Sequence, residues 1–356
     1  MGSTAGTGPQ ARSIGGVGRL DILPAGRSLR QSEDLLAGAI DIHVHAGPHI
    51  FSSPRRVDPF EAARQARDAG MRAIVYMDVF EMSNGTSWMV NRALGDPGFT
   101  TYGGLILNTV YGGMNPRAVK TALAYGDGAK FISFGAHSTY YQASKEGRIV
   151  NGRFVPLSEL FPDFAREELS RAIRIPADGP PQPELQEILA LIAAHPEVYL
   201  NTGHVSNAEA MRLVELAAEY GIARVLIAST VTKNMSVSEQ RSAAASGALL
   251  EHTLAAFTHT TPIPKTHYYV EREYAAIDEG MDEAARTGVR GVAEQIDAVG
   301  AEHCVIASDF GVYTLPPPVE GLRAFIACLL DLGIAESAIR TMASTNPGWL
   351  LGLNAR

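Results

Sequence analysis

Short apolar runs alternate with amphipathic stretches along nearly the whole chain. Apolar runs bounded by Gly, Pro and polar clusters have the length and flanks of buried strands. Eight such runs are read, at residues 39–45, 72–78, 101–107, 129–134, 197–202, 224–229, 248–251 and 303–309. Helical spacing fills the gaps, and several helix ends carry capping chemistry. Asp58-Pro59-Phe60-Glu61 offers an N-cap, a first-turn proline and a capping-box acid. Asn115-Pro116 opens a helix that stops at Gly126, and Ser236-Val237-Ser238-Glu239 forms another capping box. Further helices are expected over 183–194, 207–220, 281–299, 319–332 and 335–351, and a polar loop over 81–87 leads to a short helix at 89–94.

Two segments break the rhythm. The first, 137–181, contains a small hairpin at 148–155 on the Asn151-Gly152 turn and then a loop-rich stretch. The second, 253–279, is rich in Thr, Pro, His and Tyr. Eight strands, each followed by a helix, predict an α/β fold: a (β/α)8 TIM barrel with loop insertions after strands four and seven. An open doubly wound sheet would call for Gly-x-Gly-x-x-Gly after the first strand, and the sequence has none there. Residues 1–30 read as a flexible N-terminal tail and 31–356 as a single barrel domain.

Composition narrows the partners. The chain has 356 residues, 46% hydrophobic and 19% charged, which suits a globular protein with a sizeable core. A net charge of -8 without a long basic run argues against nucleic acid. The sequence has no apolar run of membrane-spanning length and no signal-like start, so a soluble, cytoplasmic protein is expected. Cys304 and Cys328 lack a Cys-x-x-Cys partner and read as buried small hydrophobes in a reducing compartment.

In such a barrel, chemistry sits at the carboxyl ends of the strands. There the sequence places His43 and His45, then His137, His204, the pair Glu251-His252, and Asp309. Five of the ten histidines thus fall at one rim, which scattered core histidines would not do. His-x-His on a strand projects two imidazoles to one face, with Asp41 a step below, and two imidazoles can grip one metal ion. A strand-end carboxylate such as Asp309 can bind metal, take a proton, or both; its bland alternative is a capping or ion-pair acid.

His43-x-His45, His204, Asp309 and the closing Asn346-Pro347-Gly348-Trp349-Leu350-Leu351-Gly352-Leu353 resemble the amidohydrolase superfamily of metal-dependent barrels. Most similar is a branch that opens Asp-x-His-x-His-x-Gly-Pro and carries Thr-Gly-His at strand five. The resemblance implies a hydrolase of a small amide, lactam, lactone or related bond. It also implies a divalent metal, zinc first and manganese or iron after it, held by His43, His45, His204 and Asp309. Such a metal lowers the pKa of its water to about 7, and Asp309 would serve as base and then as proton donor. Three features depart from the superfamily pattern. Lys130 lies at the wrong end of strand four, strand six ends Ala228-Ser229-Thr230, and strand two is followed by Met77, Asp78 and Val79. One metal is therefore expected, with His137 or Glu251 completing the catalytic set. A metal-dependent decarboxylase or lyase of a carboxylated ring is the alternative reaction, and a degenerate ligand-binding barrel the non-catalytic one.

A small-molecule substrate would meet Arg55 and Arg56, which could bind its carboxylate, and His49, Tyr140, His252 and Tyr268. The aromatic loops carrying Tyr140 and Tyr268 suit an apolar ligand or a contact in a homo-oligomer.

Overall fold

The computed structural model describes residues 24–49, 54–255, 264–266, 273–275, 277–278 and 281–353. Its frame is parallel strands taken in chain order. Strands β1 (Ile40–Val44), β2 (Ala73–Tyr76) and β3 (Thr100–Tyr102) form one parallel sheet. A second parallel sheet contains β4 (Leu105–Ile106) and β5 (Phe131–Ser133). After an antiparallel hairpin, β6 (Glu146–Val150) and β7 (Arg153–Pro156), that sheet continues through β8 (Tyr199–Asn201), β9 (Val225–Ile227) and β10 (Leu249–Thr253). Beyond the short strands β11 (Pro264–Thr266), β12 (Glu273–Ala275) and β13 (Ile277–Asp278), it ends with β14 (Cys304–Ala307) beside β10.

The sheets meet at two places. β3 and β4 divide the expected strand 101–107 at Gly103-Gly104. A side chain on Gly103 would run into the Ser83–Asn84 backbone, and one on Gly104 into the Phe131 carbonyl, so this passage requires glycine. At the other side, Val44 bridges Phe310 in parallel. The His45 N–H donates to Phe310 O at 2.9 Å and the Asp309 N–H to His43 O at 2.9 Å.

Strand alternation sorts the core. Ile40, Ile42, Val75, Ile106, Phe131, Tyr199, Leu226, Leu249, Val305 and Ala307, drawn from both sheets, form one buried cluster. Residues of opposite parity, among them Ile74, Ile132, Leu200, Leu250 and Ile306, pack outward with helix side chains. Each fully buried aliphatic side chain contributes about 1.5–3 kcal/mol. Leu350 and Leu351 pack against the first cluster, and Asn346 Nδ2 donates to Ala301 O (3.0 Å) and Cys304 O (2.7 Å), fixing the closing segment to the start of β14.

Several expectations change. The expected loop 81–87 is mostly helix, Ser83–Leu94, because Ser83 Oγ donates to Tyr76 O (2.7 Å) and Asn84 Nδ2 to Ala122 O (3.0 Å). The final helix 335–351 is three pieces, Glu336–Arg340, the wider turn Thr341–Thr345 and Asn346–Leu350. A helix, Gly26–Leu36, starts inside the expected tail; Ala25 N–H and Ser28 Oγ donate to the Asp331 carboxylate, and Leu35 and Leu36 are buried.

The hairpin β6–β7 turns on Asn151 (φ 51°) and Gly152 (φ 78°), the left-handed pair its Asn-Gly sequence favours. β13 adds antiparallel to β6. Capping boxes close at Ser206/Glu209 and Ser236/Glu239. Cys304 and Cys328 are buried free thiols. Among the described residues, no helix is long and apolar enough to cross a membrane.

Candidate metal centre

The first strand delivers its histidines through an irregularity. Asp41 pairs with Ile74 and Val44 with Tyr76, so β1 holds one residue more than β2 across that interval. Such a bulge re-aims the side chains beyond it. Ile40 and Ile42 face the inner cluster, whereas Val44 packs outward. Asp41 does not join the histidines as simple alternation would place it. Its Oδ1 accepts from the His43 and Ser308 N–H groups, both at 3.1 Å, and burial pushes its carboxyl up to about 6.

His43, His45 and Asp309 each offer a ligand atom within 4.8 Å of the others. His43 Nδ1 lies 2.9 Å from Glu251 Oε1, and His45 Nδ1 2.9 Å from Met77 O. A carbonyl oxygen only accepts, so His45 Nδ1 carries the hydrogen and Nε2 is left as the lone-pair nitrogen of the neutral ring. That Nε2 is 3.0 Å from Asp309 Oδ1, and His43 Nε2 is 3.4 Å from the same oxygen. Asp309 itself sits at φ 55°, a left-handed conformation that Asp tolerates better than most residues. Gly311 follows closely because a side chain there would overlap the His45 carbonyl.

Charge is concentrated here. Burial pulls His43 down, but Asp309 and Glu251 more than offset it and lift the imidazole to about 10. Burial pulls His45 down, with Arg55 and His43 adding to that and Asp309 opposing. Burial raises Asp309, yet His43 and His45 outweigh it and leave the carboxyl well below the usual range.

His204 lies beside His137, with ring centroids 5.9 Å apart, rather than inside the three-residue group. Its buried Nδ1 has no hydrogen-bond partner, and burial followed by the His137 charge pushes its imidazole down to about 3. His137 Nδ1 bonds Glu146. Glu251 is fully buried; Oε1 faces His43 and Oε2 accepts from the Ser229 N–H at 2.8 Å. His252 falls off the site: it shares the outward face of β10 with Leu250, while Leu249 faces the inner cluster, Glu251 bonds His43, and Thr253 Oγ1 lies 3.5 Å from Asp309 Oδ2. His49 packs edge-on against Phe80 at 5.0 Å, and Tyr140 is covered by the Arg174 guanidinium at 3.3 Å. Arg55 is half-buried, with its Nε enclosed, and Arg56 is exposed. Tyr268 lies outside the described residues. Sequence reasoning missed Glu146, Thr253, the Ser229 N–H and the Met77 carbonyl. Only the first two have side chains that could have signalled the role.

Comparison with solved structures gives likeness of fold. An amidohydrolase from Burkholderia multivorans with bound zinc matches at TM-score 0.52 and 10% identity, over 89% of this chain and 100% of that one. A lactonase from Listeria monocytogenes matches at TM-score 0.52 and 10% identity, over 91% of this chain and 97% of that one. A candidate 2-pyrone-4,6-dicarboxylic acid hydrolase from Pseudomonas putida matches at TM-score 0.51 and 11% identity, over 90% and 99%. No curated protein matches in sequence. A family profile does match, over residues 38–251, from β1 through the Glu251 that bonds His43, and the chain belongs to that family, described as a family of unknown function (DUF6282).

Proposed function

We propose that the chain is a metal-dependent hydrolase of amidohydrolase type, on a (β/α)8 barrel made by the two parallel sheets. The chain-order succession of strands and the hydrogen bonds between β1 and the residues after β14 support the barrel. The observation that carries the metal is the pairing of His45 with Asp309. With Nδ1 tied to Met77 O, the neutral ring points a lone pair at a carboxylate oxygen 3.0 Å away. Two electron-rich atoms at that distance call for a cation between them, and burial opposes a proton on His45. The donor set fits a divalent ion: two imidazole nitrogens and a carboxylate, with each ring's other nitrogen fixed by an acceptor.

His43, His45 and Asp309 would hold the ion, and the unpartnered buried Nδ1 of His204 supports its joining them. The ion, zinc by donor chemistry, would supply Lewis acidity and lower the pKa of water. Glu251 positions His43 and is itself held by the Ser229 N–H. Asp309 Oδ2 lies 3.5 Å from Thr253 Oγ1, and we assign it the proton taken from the attacking water and returned to the leaving group. The likeness to the Listeria lactonase and the zinc-containing Burkholderia protein supports a small lactone or amide as substrate.

Turnover of a panel of lactones, N-acyl compounds and carboxylated aromatics by zinc-reconstituted protein in ¹⁸O-water tests the reaction. Incorporation of ¹⁸O into the product carboxylate is expected, with a loss of about 100-fold or more in kcat for Asp309→Asn. Release of CO₂ without incorporation would replace hydrolysis by decarboxylation. Unchanged turnover in Asp309→Asn would remove the proton role.

A further inference from the structure

Arg55 is half-buried at the edge of this centre. Three contacts tie its segment to the ends of β1 and β14. The Gly47 N–H donates to Val57 O (2.8 Å), the Arg56 N–H to Gly311 O (2.7 Å), and Arg55 bridges Val312. Within that clamp the Arg55 Nε is buried and has no hydrogen-bond partner, and no described carboxylate forms an ion pair with the guanidinium. Its charge nevertheless acts on Asp78, Asp309 and His45. Asp78 does not close the gap. Its Oδ1 accepts from the Phe80 N–H at 2.7 Å, and its buried Oδ2 has no partner.

A guanidinium partly withdrawn from water without a paired anion carries a desolvation cost, and a fold that keeps one beside a reactive centre gains when a ligand brings the missing charge. A guanidinium also presents its donors as a fork that matches a carboxylate. Arg56, next in sequence, is exposed and lacks this setting. We propose that Arg55 receives a carboxylate of the substrate, so that the substrates are carboxylate-bearing lactones or amides. The inference rests on the proposed hydrolytic site, because it places the scissile bond at His43, His45 and Asp309 with the carboxylate anchored next to them.

Calorimetric titration with benzoate and with its neutral counterpart benzamide tests it, on metal-loaded and metal-stripped protein whose metal content is measured in parallel. Wild type is expected to bind benzoate more tightly than benzamide in both states. Arg55→Gln is expected to lose that preference, weakening benzoate by about tenfold or more at unchanged metal content. Arg55→Lys keeps the charge opposite Asp78 and Asp309 but loses the fork, so an intermediate loss is expected; it is also the variant to read if Arg55→Gln fails to fold by circular dichroism. Benzoate affinity unchanged in the folded variants, or a preference that vanishes with the metal while Arg55 is intact, would overturn the proposal. Protein that takes up no metal yet keeps an Arg55-dependent preference would overturn the hydrolase reading and leave this one standing.

Discussion

Each imidazole of the His43–His45 pair commits one nitrogen to the protein and presents the other to Asp309. On the proposed reading Glu251 positions His43. Glu251→Gln is expected to weaken metal affinity about 10–100-fold, as measured by chelator competition. Unchanged affinity would show that His43 needs no anionic partner. At this scale the sequence showed the side chains that can bind metal, since His-x-His and a strand-end Asp have few other uses together. It did not show what holds them. The Met77 carbonyl and Ser229 N–H are main-chain groups that any residue supplies. His252 follows Glu251 in sequence and lies on the opposite face of β10, since neighbours on a strand face opposite ways.

Elements were legible where local chemistry is strong. Asp58, Asn115 and Ser236 cap helices through their side chains; Ser236 and Glu239 close the expected capping box, while the Glu61 carboxylate accepts from Gln65 instead of closing one with Asp58. Ser236→Ala is expected to cost about 1 kcal/mol in urea unfolding; a change near zero would deny the cap its energetic role. Elements set by long-range contact were not legible. The helix Ser83–Leu94 depends on anchors at Tyr76 and Ala122, and the bulge in β1 depends on β2. The strand end after β14 is similarly constrained. Gly311→Ala would push against the His45 carbonyl, so a loss of metal affinity is expected while circular dichroism stays near wild type. Wild-type affinity in that variant would mean that the two chain ends separate without disturbing the centre.

For the whole molecule, parallel sheets built in chain order were legible in the alternation of apolar runs and helices, whereas the division of the third expected strand between two sheets at Gly103-Gly104 was not, because contacts with Ser83, Asn84 and Phe131 set it. Global stability should carry a mark of the buried histidines. Burial pushes His252 down to about 4 from an ordinary 6.5. Its folded pKa lies below its unfolded one, so its stabilising contribution is complete above pH 6.5 and is lost as pH falls towards 4, roughly 3 kcal/mol in all. Urea unfolding of wild type and His252→Gln at pH 7 and pH 4 should show a smaller acid loss in the variant. Equal losses would place the acid sensitivity elsewhere.

Binding of a divalent ion by His43, His45 and Asp309 is read from elemental analysis. Purified protein, reconstituted with zinc and freed of excess, is predicted to retain about one equivalent per chain, with His43→Ala retaining far less while remaining folded. Wild-type protein that holds no metal, or His43→Ala that holds as much as wild type, would mean that these three residues bind no ion.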